Sequence, residues 1–428
     1  MRVPWSRRTC CLFPLVFVAA CGSDDTSSAG ADAATSTEDG SVGRDAQVFD
    51  GAARGDAAGR DGGVDGGAGK DTGNEVDAST PGDAAQEDAG DNGSDGGQPD
   101  GRAPQDSGSP SMGLHVVGNT LVDNGKTVRL FGVDRSGTEY TCIQGNGFFD
   151  GAVDQAAISA MLSWHINSVR VPLNEDCWLA INGSPSQYSG AAYQSAISQY
   201  VSLLRQNGLY VILDLHWNAG GANVSNGQQS MADADHAPAF WTSVATAFKA
   251  DQGVIFDLYN EPHDIPWACW LNGGCQTNGW NVAGMQSLLN AVRGANANNV
   301  VMAGGLAYAS DLSSWLANKP SDPKGNLAAS YHGYNFAGCN TSSCWTAQLQ
   351  PVAAQVPLIT GELGENDCAH AYIDGYMSWA DTRGVSYLGW AWNADFNCSS
   401  GPGLISDYNG TATAFGVGLQ SHFAAVNP

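Results

Sequence analysis

Positive charge is what this 428-residue sequence most lacks: 18 lysines and arginines face 43 aspartates and glutamates, for a formal net charge of −25. No basic patch interrupts the acidity, so nucleic acid is not an expected partner, since a phosphate backbone is held by clustered Lys and Arg. Other signatures are missing too. No G-x-G-x-x-G or Walker loop follows an early strand-like run, which argues against nucleotide binding. No C-x-x-C or close Cys/His pairing marks a metal site, and no G-x-S-x-G elbow supports a Ser-His-Asp esterase. Neither a metal nor a cofactor is therefore expected. The apolar run from Cys10 to Ala20 is too short to span a bilayer.

What is present is unevenly spread. Arg2, Arg7 and Arg8 precede that apolar run, the build of an export signal. Its end, Val18-Ala19-Ala20-Cys21-Gly22, resembles a bacterial lipobox, which implies lipidation of Cys21 and a membrane tether without a spanning helix. The alternative is an ordinary signal cut near Ala20. Residues 22–112 hold 20 acidic and 5 basic residues and one aromatic, Phe49. Such a stretch cannot bury enough apolar surface to offset its ordering entropy, so it is expected to be a disordered linker. The division is thus a lipoprotein-type signal peptide at 1–21, an Asp/Gly/Ala-rich linker at 22–112 and one globular domain at 113–428, which carries twelve of the thirteen tryptophans.

That domain also holds eight of the eleven cysteines. An even number in an exported protein suggests disulfides, although eight cysteines allow 105 pairings. Short spacings favour Cys269 with Cys275 and Cys339 with Cys344. A hairpin turning at Asn124-Gly125 is expected first. Eight short apolar runs then alternate with helix-length segments, beginning near 129, 166, 210, 254, 300, 328, 358 and 387. Apolar runs alternating with helices imply a parallel sheet covered on both faces, and eight units over roughly 300 residues fit an α/β fold of the (β/α)₈ TIM-barrel type.

Chemistry in such a barrel sits at the carboxyl ends of the strands. The polar residues that end each run are therefore the candidates: Asp134 and Arg135, Arg170, His216 and Trp217, Asn260 and Glu261, His332 with Tyr334 and Asn335, Glu362, and Trp392 with Asn393. Two glutamates at one barrel level suit glycosidic cleavage, in which one carboxylic acid protonates the leaving oxygen and the other carboxylate attacks or activates water.

Asn260-Glu261-Pro262 after an apolar strand, with Gly361-Glu362-Leu363-Gly364 about a hundred residues later, resembles glycoside hydrolase family 5, the cellulase family. The likeness extends in order to Asn167–Pro172, Asp214-Leu215-His216, His332-Gly333-Tyr334 and Gly389–Asn393. It implies a retaining enzyme without cofactor or metal, with Glu261 as acid/base and Glu362 as nucleophile. It further implies that Arg170 and Tyr334 hold the nucleophile, and Asn260 a sugar 2-hydroxyl. His216 and His332 would bind sugar hydroxyls, and Trp392 would floor the cleaved ring, with Trp390 as second choice. Cys142–Cys177 and Cys368–Cys398 would tie rim loops. The implied partner is a β-linked polysaccharide, the implied activity that of an endo-β-1,4-glucanase; a mannanase, a xylanase or a non-catalytic carbohydrate-binding barrel stays open. A monomer, lipid-anchored at the cell envelope or secreted, is expected.

Each residue has a plainer role available: a Glu before Pro can cap a loop, Arg170 can serve a structural ion pair, and histidines can be core residues. His165, His236, His263 and His370 carry no comparable motif. Trp178, Trp217, Trp267, Trp270, Trp280 and Trp345 are expected in loops after strands, where about half would pack and the rest could stack on sugar rings, Trp217 first.

Overall fold

A computed structural model describes residues 113–396 and 401–427. The described residues start with three short antiparallel strands, β1 (His115–Val117), β2 (Thr120–Asp123) and β3 (Lys126–Val128). The expected hairpin is thus a three-stranded meander. Its second turn is the Asn124-Gly125 pair, both at positive φ (49° and 74°), the conformation that a two-residue turn matched to strand twist requires. The extra strand follows from a first turn at Gly118, also at positive φ.

Eight parallel strands then close a barrel: β4 (Phe131–Asp134), β5 (Ser168–Asn174), β6 (Tyr210–Trp217), β7 (Val254–Asp257), then, after a two-strand hairpin β8 (Gln276–Thr277) and β9 (Trp280–Asn281), β10 (Val301–Gly304), β11 (Leu327–Tyr334), β12 (Leu358–Gly364) and β13 (Ser386–Gly389). β13 pairs back onto β4, Tyr387 opposite Phe131, which completes the ring.

Alternation sorts the side chains into two cores. Leu130, Ile212, Ile255, Val300, Met302, Ala328, Ile359 and Leu388 form one apolar cluster, and Leu114 and Leu121 from the meander join it. Strand period two places these residues inside and their neighbours against the helices. The meander thereby closes the amino-terminal end of the barrel, and the open end lies where the strands finish.

The outer helices bury stripes at helical spacing. In helix Ala191–Gln206 the buried residues are Tyr193, Ile197, Tyr200, Val201 and Leu204, and each such side chain contributes roughly 1.5–3 kcal/mol when fully buried. Helix Gln155–Ser163 is capped by Asp154, whose carboxylate accepts from the Ala157 amide at 3.0 Å, worth about 1 kcal/mol. A last helix, Gly416–Val426, was not anticipated, because glycine-rich GVG does not read as a helix start. Close packing explains those glycines: a Cβ on Gly416 would meet the Leu404 carbonyl oxygen at 2.0 Å, and one on Gly418 the Cβ of His370 at 2.5 Å.

Three disulfides join Cys142–Cys177, Cys269–Cys275 and Cys339–Cys344. Cys368 is disulfide-bonded as well, while Cys398 lies outside the described residues. So do Cys21, the signal and the linker expected at 22–112. No helix among the described residues is long and apolar enough to cross a membrane.

Candidate active site

On β6 the inward side chains run Ile212, Asp214, His216, so the apolar interior gives way to charge within four residues of strand. The same change occurs on β4, β7 and β12, whose carboxylates converge with that of β6 on Arg170. This fully buried guanidinium on β5 reaches Asp134 at 3.1 Å, Asp214 at 3.2 Å, Asp257 at 3.3 Å and Glu362 at 2.8 Å. It also donates to Asn260 Oδ1 at 2.8 Å.

Glu362 reaches this layer through a bulge. β11 and β12 stay in register up to Tyr331 opposite Thr360, then His332 faces Glu362, so β12 gains one residue. Ile359 belongs to the interior cluster, and an extra residue in the strand turns Glu362 to the same side. Gly361 leaves the room for it, since a Cβ there would lie 3.0 Å from His332 Nε2.

Both oxygens of Glu362 are held. Oε1 takes the Arg170 bond, and Oε2 accepts from the Tyr334 hydroxyl at 2.6 Å. Burial and the nearby Glu362 charge push the Tyr334 phenol well above its usual range, so it keeps its proton and donates. Glu261, 7 % exposed, is held differently: Oε1 receives His332 Nδ1 at 2.9 Å and Oε2 receives Gln228 Nε2 at 2.7 Å. Burial pushes His332 down to about 3, so that contact is a hydrogen bond from a neutral ring rather than an ion pair.

Four carboxylates around one arginine cannot all be charged cheaply. Burial pushes Asp257 up to about 7, against the pull of Arg170, and it raises Asp134 well above the carboxylate range. Asp214 goes the other way. Burial opposes its ionisation, but Arg170 and His216 together lower it, and His216 Nδ1 sits 2.9 Å from its Oδ2. His216 is in turn pushed up to about 10, burial being outweighed by Asp214.

The open end thus brings together Arg170, His216, Asn260, Glu261, His332, Tyr334 and Glu362. Two tryptophans stand elsewhere than expected. Trp392 is fully buried among the helices, its ring 4.9 Å from that of Trp164, and so offers no floor for a ligand. Trp390, 7 % exposed, stacks on His216 with centroids 5.4 Å apart and planes 11° apart. Strand β13 ends at Gly389, before either tryptophan, so counting along it does not tell them apart. Trp217 is 2 % exposed and packs toward Tyr140, 6.1 Å between ring centres. The remaining loop tryptophans differ as well: Trp178, Trp267, Trp270 and Trp345 belong to short helical segments, and three of these four are buried.

Gln228 and Asp257 were not singled out from sequence. Gln228 lies in a long connection where no motif marks it, and Asp257 was read as part of an apolar run although a lone acid inside such a run was its signal.

Glu261, His332 and Glu362 present one atom each within 4.8 Å of one another. Their inward contacts are made by N–H and O–H donors from Arg170, Tyr334, Gln228 and His332, which suits an oxyanion network better than a cation. The short gap matters more for the two carboxylates, because a separation near 5 Å leaves no space for an intervening water.

An eight-stranded barrel with a facing pair of held glutamates at its carboxyl end defines the class of (β/α)₈ proteins built for glycosidic chemistry. The profile of the cellulase family, glycosyl hydrolase family 5, matches residues 122–396, and the chain belongs to that family. Among its relatives, a mannan endo-1,4-beta-mannosidase of Cellvibrio japonicus is 24 % identical over 320 residues, covering 72 % of this chain and 66 % of that protein. A manganese dependent endoglucanase of Phanerodontia chrysosporium is 28 % identical over 195 residues, 44 % of this chain and 46 % of that one. The chain spans less than two thirds of the length of either. A beta-glucanase of Saccharophagus degradans, crystallised with cellotetraose, superposes with a TM-score of 0.58 at 19 % identity, covering 75 % of this chain and 95 % of that one; the likeness is one of fold.

Proposed function

We propose that the protein is a retaining β-glycanase, acting as an endo-β-1,4-glucanase. One observation carries the reading: Glu362 is oriented by Arg170 and Tyr334, and Glu261 lies within 4.8 Å of it on the other side of His332. In this reading Glu261 protonates the glycosidic oxygen while Glu362 attacks the anomeric carbon, giving a glycosyl-enzyme. Glu261, now a carboxylate, takes a proton from water as that water displaces Glu362. Because Asn260 Oδ1 is occupied by Arg170, its amide N–H groups are the ones left for a sugar 2-hydroxyl, a contact that strengthens in the oxocarbenium-like transition state. His216 and Trp390 would form a wall for the ring being cleaved.

A mannanase is the second reading, favoured by the Cellvibrio japonicus relative that aligns over most of this chain. The acid pair does not sense whether the 2-hydroxyl is axial or equatorial. Hydrolysis of carboxymethylcellulose against glucomannan separates the two.

Glu362→Gln keeps the side chain's shape but removes the nucleophile; turnover should fall by about 10⁴-fold or more, with an unchanged circular dichroism spectrum. Near wild-type turnover in that variant would exclude this assignment.

The sequence features of residues 1–112 support an exported enzyme tethered through lipid on Cys21, with 22–112 as spacer between anchor and domain. Palmitate labelling that marks the wild type and spares Cys21→Ser checks the anchor.

A further inference from the structure

A second acidic group lies at the same end of the barrel, outside the carboxylate pair. Glu175 follows β5 directly, Ala219 lies two residues beyond β6, and Asp233 and His236 precede helix Ala237–Phe248. His236 Nδ1 stands 3.4 Å from the Ala219 carbonyl oxygen, 3.6 Å from Asp233 Oδ1 and 4.0 Å from Glu175 Oε1. Glu175 and Asp233 are completely buried.

Their charge is poorly answered. Among the described residues neither lysine nor arginine reaches either acid, and His236 is the one basic residue within 4.0 Å of them. Asp233 is supplied with donors, Oδ1 by the His236 amide at 2.7 Å and Oδ2 by Asn218 Nδ2 at 2.9 Å. Glu175 receives one long bond, from the Ala219 amide at 3.4 Å, and its Oε2 is buried without a hydrogen-bond donor among the described residues. A buried carboxylate oxygen left without a donor is costly, so the group must be completed by a proton or by a cation.

The donor atoms favour the cation. Two oxygens or nitrogens bound at ~2.1 Å to one ion lie about 3.0 Å apart at a right angle and approach 4 Å as the angle opens, and ligand lengths of that order belong to first-row divalent ions. The 3.4–4.0 Å separations around His236 Nδ1 fall in that range. A shared proton would join the two acids and leave His236 Nδ1 only its long 3.4 Å hydrogen bond with the Ala219 carbonyl, whereas one ion would take all four donor atoms. Calcium takes oxygen ligands alone, whereas two carboxylates, an imidazole and a carbonyl make a mixed set that suits a borderline ion such as Mn²⁺.

We propose that Glu175, Asp233, His236 and the Ala219 carbonyl form a binding site for one first-row divalent cation, structural in role. The ion would pin the segment after β6 to the end of β5. Asn218, which holds Asp233, also accepts from the Tyr259 hydroxyl at 2.9 Å, and Tyr259 adjoins Asn260 and Glu261. Gln228, the partner of Glu261, rides on the same segment between Ala219 and Asp233.

Calorimetric titration of the EDTA-stripped full chain with MnCl₂ tests this, with CaCl₂ in parallel. One saturable Mn²⁺ per chain is expected, with an unfolding midpoint that rises with Mn²⁺ concentration. Glu175→Gln and Asp233→Asn should each weaken binding by more than the roughly 10–100-fold that loss of an outer-shell partner costs, and Glu261→Gln should leave it intact. Should those variants not fold, the wild type suffices: substoichiometric Mn²⁺ should broaden the ring-proton resonances of His236 before those of His332. No saturable Mn²⁺ binding, tighter Ca²⁺ than Mn²⁺ binding, binding lost in Glu261→Gln alone, or broadening of His332 first would each overturn the proposal.

Discussion

Two buried acid groups at one end of the barrel solve the same electrostatic problem differently. Around Arg170, four carboxylates share one guanidinium, and the fold divides the charge among them: Asp214 is held low with His216, while Asp134 and Asp257 are pushed up. Around Glu175 and Asp233 no arginine or lysine stands among the described residues, and the half-buried His236 is the one basic residue within reach. The first group carries its own guanidinium and is therefore preorganised to orient Glu362. The second has no such cation among the described residues, which is why it points to something that arrives from solution.

The sharpest way to break this contrast is to remove the guanidinium. Arg170→Met should leave buried carboxylates unpaired at a cost of about 3–5 kcal/mol, read by denaturant unfolding, and should also lower turnover steeply, because Glu362 loses its Oε1 partner. A change under about 1 kcal/mol would mean that the acids around it are mostly protonated.

A matched pair of amides comes next. Asp214→Asn removes the ionised partner of both Arg170 and His216, and should cost about 1.5–3 kcal/mol, the worth of hydrogen bonds to charged groups. Glu175→Gln, measured in EDTA, replaces a buried carboxyl of the arginine-free group by a neutral amide of the same shape and should shift stability by less than about 1 kcal/mol in either direction. Equal losses from both substitutions would erase the distinction between the two groups.

The effect that builds most gradually is in pH dependence. The folded pKa of His216 is raised to about 10 against 6.5 for the ordinary residue. Its stabilisation is therefore fully present below about pH 6.5 and is lost as pH climbs toward 10. Wild-type unfolding free energy should decline from pH 7 to 10 by up to about 1.4 kcal/mol per unit for this one proton, and His216→Gln should flatten that decline. Parallel slopes in the two proteins would mean that His216 is neutral already at pH 7.

Much of the barrel was legible because its signals are local. All eight barrel strands overlap the apolar runs, since a strand covered on both faces must be apolar throughout. Arg170, His216, Asn260, Glu261, His332, Tyr334 and Glu362 stood out as polar breaks at the ends of those runs, and the structure brings them together. What stayed hidden depends on parity and on contact. The bulge before Glu362 turns on one residue of register, which periodicity does not resolve, and Trp390 and Trp392 share a parity and lie beyond the end of β13, so strand alternation does not separate them. Gln228 and His236 sit in a connection without motif, and their importance comes from neighbours that only the fold supplies.

The central claim is that Glu362 attacks carbon while Glu261 handles the proton, so that configuration is kept through two inversions. Proton NMR of cello-oligosaccharide hydrolysis in its first minutes, before mutarotation, tests this most directly. The β anomer of the newly formed reducing end should appear first and drift toward the equilibrium mixture. An initial burst of the α anomer would show single-step inversion and contradict the account.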